Sequence, residues 1–274
     1  MTDIKNALKN TVWAICILVC LVAVSVGLVI AAVNRSSASP FSTVVDLRGS
    51  GSDPNAVMST ESGAESTLLQ LAQSADRGEE YINRLTFICD SSVIGLRDFG
   101  LLAGGRDTYQ VWGTDTGSLK ITELSNSTVI YPADGSFRSF GECAGYAAPE
   151  ILVIMVGQDG LSGTDEALFK SNYQSLLTSV RASSPSSAII CCSISSVSAN
   201  YTGADGLTPD IVKTANEWIK ALSAENGVYF CDTAESVSDG SYVFGSYLSA
   251  NGKTLNSAGL DEILVYLRTH ALES

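Results

Sequence analysis

Histidine, basic residues and metal-type cysteine spacings are scarce in this sequence. The chain has one histidine, His270, and 16 lysines and arginines against 29 aspartates and glutamates. No Cys-x-x-Cys pair is present and the carboxylates are scattered along the chain. The sequence therefore lacks the clustered ligands of a metal site. The net charge of −13 argues against a nucleic-acid partner, because phosphate binding needs a cationic face. We therefore expect no metal, no cofactor and no nucleic acid.

One long apolar run lies near the N-terminus. Residues 11–33 are uncharged, and these 23 residues are enough to span a bilayer. We interpret the run as an uncleaved transmembrane anchor, since signal peptides have shorter apolar cores; a long signal cleaved at the following serines is the alternative. Lys5 and Lys9 precede the run, so the weak charge bias places residues 1–10 in the cytoplasm. The sequence thus predicts a single-pass cell-membrane protein with an extracytoplasmic C-terminal domain.

Beyond the run, composition divides the chain in two. Residues 34–78 are rich in serine, glycine, alanine and aspartate and lack a sustained apolar period, which predicts a stalk, with a short helix in ESTLLQLAQSA as an exception. Residues 79–274 carry the signals of one globular domain.

Short apolar runs alternate with amphipathic segments in this domain. The predicted strands are 85–89, 109–112, 151–156, 188–194 and 228–231. The predicted helices are 164–183, 208–227 and 258–271. Strands that are apolar throughout suit a parallel sheet covered on both faces, and the alternation predicts a three-layer α/β domain.

Five cysteines follow the apolar run. They are Cys89, Cys143, Cys191, Cys192 and Cys231. Most sit in or at the end of strand-like runs, which predicts buried free thiols. One bridge between Cys231 and Cys191 or Cys192 is the alternative in an oxidising compartment.

Three polar loops follow predicted strands or precede the last helix. They read Cys-Asp-Ser-Ser from residue 89, Gly-Gln-Asp-Gly from residue 157, and NGKTLNSAG from residue 251. In a parallel sheet such loops meet at the carboxyl edge, where sites form. Together and in this order they resemble the blocks of the SGNH/GDSL hydrolases, a family of esterases and acylhydrolases, and in particular a bacterial membrane-anchored branch.

The resemblance implies a flavodoxin-like fold with a mainly parallel five-stranded sheet ordered 2-1-3-4-5. It places the family's nucleophile at Ser91, where the motif reads Gly-Asp-Ser, and the oxyanion asparagine at Asp159. The catalytic aspartate and histidine of the family's last block fall on Asn251 and Thr254. The oxyanion glycine falls on Gly117 or on Gly113.

The departures from the family pattern bear on activity. Threonine cannot accept the serine proton near neutral pH, and asparagine cannot supply the charge that stabilises an imidazolium. A carboxylate at the oxyanion position repels the charge that an amide would attract. His270 is too near the C-terminus to be the expected replacement base, and Cys89 is interpreted as a core thiol.

Two functions are consistent with these residues. The first is a catalytically impaired domain that acts as a binding or scaffold module at the cell envelope. The second is an active esterase on acylated or acetylated cell-surface carbohydrate or lipid, with Ser91 as nucleophile. Loop aromatics that could stack on a sugar or acyl group are Tyr109, Trp112, Tyr131, Tyr201, Tyr242, Phe244 and Tyr247.

Overall fold

A computed structural model of the chain describes residues 67–272. Its strands are β1 (Leu69–Gln70), β2 (Leu85–Cys89), β3 (Val111–Trp112), β4 (Thr128–Tyr131), β5 (Ser136–Ser139), β6 (Ile151–Met155), β7 (Ala188–Cys192) and β8 (Tyr229–Cys231). Its helices are α1 (Gly78–Ile82), α2 (Gly95–Asp98), α3 (Phe140–Ala147), α4 (Glu166–Ser183), α5 (Pro209–Asn226) and α6 (Ser257–Thr269). Short 3-10 turns connect several of them.

The main sheet is parallel throughout the described residues. Its order is β3-β2-β6-β7-β8-β1, and β4 and β5 form a separate antiparallel hairpin. The first five of these strands are the predicted ones in the predicted 2-1-3-4-5 order, so that topology is confirmed. The sheet has six strands rather than five, because β1 adds an edge strand beside β8.

Strand β1 corrects the predicted stalk. It lies within residues 34–78 and pairs with β8, and the N–H of Ser74 donates to the carbonyl of Thr269 at 2.6 Å. The domain therefore begins before residue 79, and the predicted short helix is replaced by a strand. Two residues are too few to show the alternation by which a strand is recognised from sequence.

Two apolar cores sandwich the sheet. One core packs α3, α4 and α5 on one face, around Phe169, Leu177 and Ile219. The other packs α1, α2 and α6 on the opposite face, around Leu96 and Leu260. Successive strand residues contribute to alternate cores, as the two-residue period of a strand requires. This arrangement makes the domain a three-layer α/β sandwich.

The three long helices begin and end within two residues of the predicted bounds. Asp165 caps α4 through the N–H of Leu168, and Thr208 caps α5, which ends at a left-handed Gly227. Asn256 caps α6 through the N–H of Gly259. These caps satisfy N–H groups that a helix leaves unpaired in its first turn.

The predicted anchor, residues 11–33, and the predicted cytoplasmic residues 1–10 lie outside the described part of the chain. Between residues 67 and 272, no helix combines the length and the apolar character needed to cross a membrane. The five cysteines of this part of the chain are all free and buried.

Candidate functional site

The candidate site lies at the carboxyl ends of β2 and β6, where the loops that follow these strands meet. Ser91 is the second residue after β2, and Asp159 is the fourth after β6. The hydroxyl Oγ of Ser91 donates a 2.5 Å hydrogen bond to Oδ1 of Asp159. Strand pairing between Cys89 and Met155 brings these two loops together.

The second carboxylate oxygen of Asp159 accepts two backbone N–H groups. Oδ2 lies 3.1 Å from the nitrogen of Ser91 and 3.1 Å from the nitrogen of Leu119. Asp159 is 7% exposed, so water competes little for these bonds. Convergent N–H groups beside a serine are the donors that stabilise a developing oxyanion in acyl transfer. In this protein a carboxylate oxygen occupies the point where they converge.

A second carboxylate, that of Asp90, ties the two loops together. Oδ1 accepts the N–H and the hydroxyl of Ser92 at 3.0 and 2.5 Å, and Oδ2 accepts the N–H groups of Gly157 and Gln158 at 3.0 and 2.9 Å. Burial, followed by the nearby Asp159 carboxylate, raises the pKa of Asp90 to about 6, although the hydrogen bonds from Ser92 and Gln158 oppose the rise. Asp90 is fully buried, and its four hydrogen bonds join the loop after β2 to the loop after β6.

The segment opposite Ser91 contains the glycine that the family resemblance singled out. Gly117 has a φ of 74°, and a Cβ there would lie 2.6 Å from the side chain of Ile94, so both conformation and space favour glycine. Its N–H donates to the carbonyl of Thr114 at 3.2 Å. The N–H of Leu119, rather than that of Gly117, donates to the Asp159 carboxylate, and the oxyanion role of Gly117 stays a prediction.

Asn251 and Thr254 are joined by hydrogen bonds. The amide Nδ2 of Asn251 donates to Oγ1 of Thr254 at 3.0 Å, and its Oδ1 accepts the N–H of Thr254 at 3.0 Å. The next residue, Leu255, donates its N–H to the carbonyl of Ser92 at 3.2 Å. The loop of Asn251 and Thr254 therefore packs against the turn that contains Ser91.

Lys253, which the sequence did not single out, lies between two carboxylates. Its Nζ is 3.0 Å from Oδ2 of Asp205 and 3.6 Å from Oδ1 of Asp159, and the hydroxyl of Tyr201 donates to Asp205 at 2.9 Å. Burial disfavours its charged form, but the hydrogen bond to Asp205 and the charge of Asp159 outweigh burial and raise the pKa of Lys253. Lys253 is therefore a cation at neutral pH and not a proton acceptor for Ser91.

The histidine is remote from this site. Helix α6 begins at Ser257, just after the site loop, and its 13 residues extend about 20 Å before His270 ends it. The imidazole stacks on Tyr266 with ring centroids 3.7 Å apart, and its Nδ1 lies 3.0 Å from the Tyr266 carbonyl oxygen. His270 cannot reach the hydroxyl of Ser91 from there.

Within the described residues, Ser91 Oγ has one hydrogen-bond partner, Asp159. No group of three histidine, cysteine, aspartate or glutamate side chains in the same part of the chain could hold a metal ion. The arrangement thus contains a serine and a cluster of hydrogen-bond donors that could bind an anion, and the carboxylate of Asp159 accepts those hydrogen bonds.

The chain is similar in sequence to one protein family. The model of the GDSL-like lipase/acylhydrolase family matches residues 105–260, more than half of the chain. The match includes Asp159 and the loop of Asn251 and Thr254, and the turn of Ser91 precedes it.

Solved structures that resemble this one include two bacterial proteins. A protein of Streptococcus pneumonia, assigned as a platelet activating factor, has a TM-score of 0.51 and 16% identity, over 68% of this chain and 82% of that chain. A protein of Bacteroides fragilis, assigned as an acylhydrolase, has a TM-score of 0.50 and 17% identity, over 71% and 86% of the two chains. At this identity the likeness shows the fold alone. None of the curated proteins matches the sequence.

Proposed function

Because the chain belongs to the GDSL-like lipase/acylhydrolase family, we propose that it is a member whose cleft binds a ligand without hydrolysing it. The observation that carries the proposal is the position of the Asp159 carboxylate, with Oδ2 on the N–H groups of Ser91 and Leu119. An ester carbonyl oxygen would have to take that position to react with Ser91. A carboxylate about 4 Å from a developing oxyanion would also oppose it by roughly 4 kcal/mol at an effective dielectric near 20.

The missing base supports the same proposal. Acyl transfer by serine needs a group that takes the hydroxyl proton and an acid that orients that group. Thr254 and Asn251 hold those two positions and can do neither. Loss of the base, the acid and the oxyanion amide together points to a changed function rather than to drift at one residue.

The second candidate is an active serine esterase on acylated or acetylated cell-surface carbohydrate or lipid. Its support is the 2.5 Å hydrogen bond from Ser91 to Asp159, which would let Asp159 accept the proton. The geometry disfavours this candidate. For an ester carbonyl oxygen to bind the N–H groups of Ser91 and Leu119, Oδ2 of Asp159 would have to leave them while Oδ1 kept its hydrogen bond to the Ser91 hydroxyl.

The ligand that we propose for either candidate is a carbohydrate or an acyl ester. Tyr242 and Phe244 lie on the segment that leads into the loop of Asn251, and these residues are 40% and 46% exposed. Exposed aromatic rings are suited to stacking on a sugar.

Labelling by a fluorophosphonate separates the two candidates. We expect the purified full-length protein to remain unlabelled at Ser91 and to hydrolyse p-nitrophenyl acetate no faster than its Ser91→Ala variant, because the serine has no base. Cooperative thermal unfolding of both proteins is the control for folding. Labelling of Ser91 that is lost in Ser91→Ala would support the esterase instead.

We further propose that residues 11–33 anchor the protein in the cell membrane with the domain outside. The support is the length and apolar character of that run in the sequence. We expect the full-length protein to stay with membranes through a carbonate wash and an added protease to reach the domain in intact protoplasts. Release into the medium with a new N-terminus near residue 37 would identify a cleaved signal peptide.

A further inference from the structure

The donors around Asp159 match both oxygens of one carboxylate group. Oδ2 takes the N–H groups of Ser91 and Leu119, and Oδ1 takes the hydroxyl of Ser91 with the ammonium of Lys253 at 3.6 Å. Two donors therefore face each oxygen. We call this set of donors the carboxylate seat. It consists of the N–H and hydroxyl of Ser91, the N–H of Leu119 and the ammonium of Lys253, which lie on three different loops.

The positive charge of Lys253 favours a negatively charged group in the carboxylate seat. Its side chain is 17% exposed, and a cation so placed interacts more strongly with a carboxylate than with a neutral ester carbonyl. Asp205 holds the ammonium at 3.0 Å independently of Asp159, and Tyr201 in turn holds Asp205. The cation would therefore stay in place if the carboxylate beside it left.

The loop of Asp159 is also held by a hydrogen bond that does not depend on its carboxylate. Its backbone carbonyl accepts the N–H of Ile121 at 2.8 Å, and this bond does not involve the carboxylate. Rotation of the side chain alone would free the donors. Gly160, the next residue, is exposed and has a φ of 73°, so the chain turns toward solvent at this point.

We propose that Ser91, Leu119 and Lys253 form a binding site for a carboxylate group of a ligand, and that the side chain of Asp159 occupies this site in the unliganded protein. The inference deepens the proposed function and rests on it, because a hydrolysing enzyme would need the same donors for an ester carbonyl. It narrows the ligand to a small molecule or sugar that bears a carboxylate.

The test uses acetate as the probe and the full-length Asp159→Ala variant as the emptied site. We expect sodium acetate to raise the melting temperature of Asp159→Ala in a saturable way, because a ligand that binds only the folded state stabilises it. The native protein, whose own carboxylate competes, should show an apparent dissociation constant for acetate at least tenfold weaker. Asp159→Ala/Lys253→Met should also bind acetate at least tenfold more weakly than Asp159→Ala.

Sodium chloride at equal ionic strength and acetamide, the neutral isostere, are the controls, and neither should stabilise Asp159→Ala in this way. If Asp159→Ala does not fold in sodium chloride, refolding is measured in acetate and in acetamide instead. Refolding in acetate alone would equally show that acetate binds the folded variant. Absence of any acetate effect beyond the controls, or an equal effect on the native protein, would overturn the proposal. Ser91-dependent hydrolysis of p-nitrophenyl acetate by the native preparation would instead overturn the proposed function and leave the binding result standing.

Discussion

The triple variant Asp159→Asn/Asn251→Asp/Thr254→His is expected to hydrolyse p-nitrophenyl acetate at least about 10²-fold faster than the same variant carrying Ser91→Ala. Asparagine at 159 removes the carboxylate and returns an amide donor to the oxyanion position, and such a donor is typically worth about 10²–10³ in rate. A histidine at 254 supplies a base. The side chains at 251 and 254 are already in contact at 3.0 Å, so an aspartate at 251 is placed to orient that histidine.

Single reversions are the controls for this result. Thr254→His alone leaves the carboxylate on the two N–H groups, and Asp159→Asn alone leaves no base, so each should gain less than about tenfold, because residues of a triad act as a unit. Initial rates at pH 8, with folding checked by circular dichroism, give the comparison. Equal Ser91-dependent turnover in the native protein would mean that Asp159 serves as a base after all.

The variant Asp90→Ala should lose roughly 3–5 kcal/mol of unfolding free energy at pH 8. The carboxylate of Asp90 accepts four hydrogen bonds in a fully buried position, and removing it leaves the N–H groups of Ser92, Gly157 and Gln158 without a partner. Each buried donor left unpaired costs about 1–3 kcal/mol. Urea denaturation followed by tryptophan fluorescence measures the loss.

Two further variants show whether the hydrogen bonds are the cause. Asp90→Asn keeps an oxygen that can accept two of the four bonds, so it should lose about half as much. Asp115→Ala removes an exposed aspartate two residues before Gly117 and should change stability by less than about 0.5 kcal/mol. A loss below about 1 kcal/mol in Asp90→Ala would show that Asp90 does not hold the loops together.

Much of the fold could be predicted because its strands have strong local patterns. The buried strands β2, β6 and β7 are apolar along their length, and their pairing follows from covering both faces of a parallel sheet. Strand β1 could not be predicted in this way, because its two residues are exposed and it depends on β8 for its hydrogen bonds.

The site was predictable where it uses motif side chains. Ser91 and Asp159 could be placed by their positions after two strands, and the structure brings them into contact. Leu119 left no signal, since it acts through its backbone N–H, which every residue but proline carries. Lys253 left none either, because its role depends on Asp205, 48 residues away in the sequence.

The two ends of the described chain lie close together. Leu69 and Leu272 line the same surface groove, and Ser74 bonds to Thr269 at the end of α6. Ser91 lies near the opposite end of α6, about 20 Å away by the rise of its 13 residues. Attachment of the domain to a bead or a sensor chip at Leu69 or Leu272 would therefore leave Ser91 at the far end of α6 from the support.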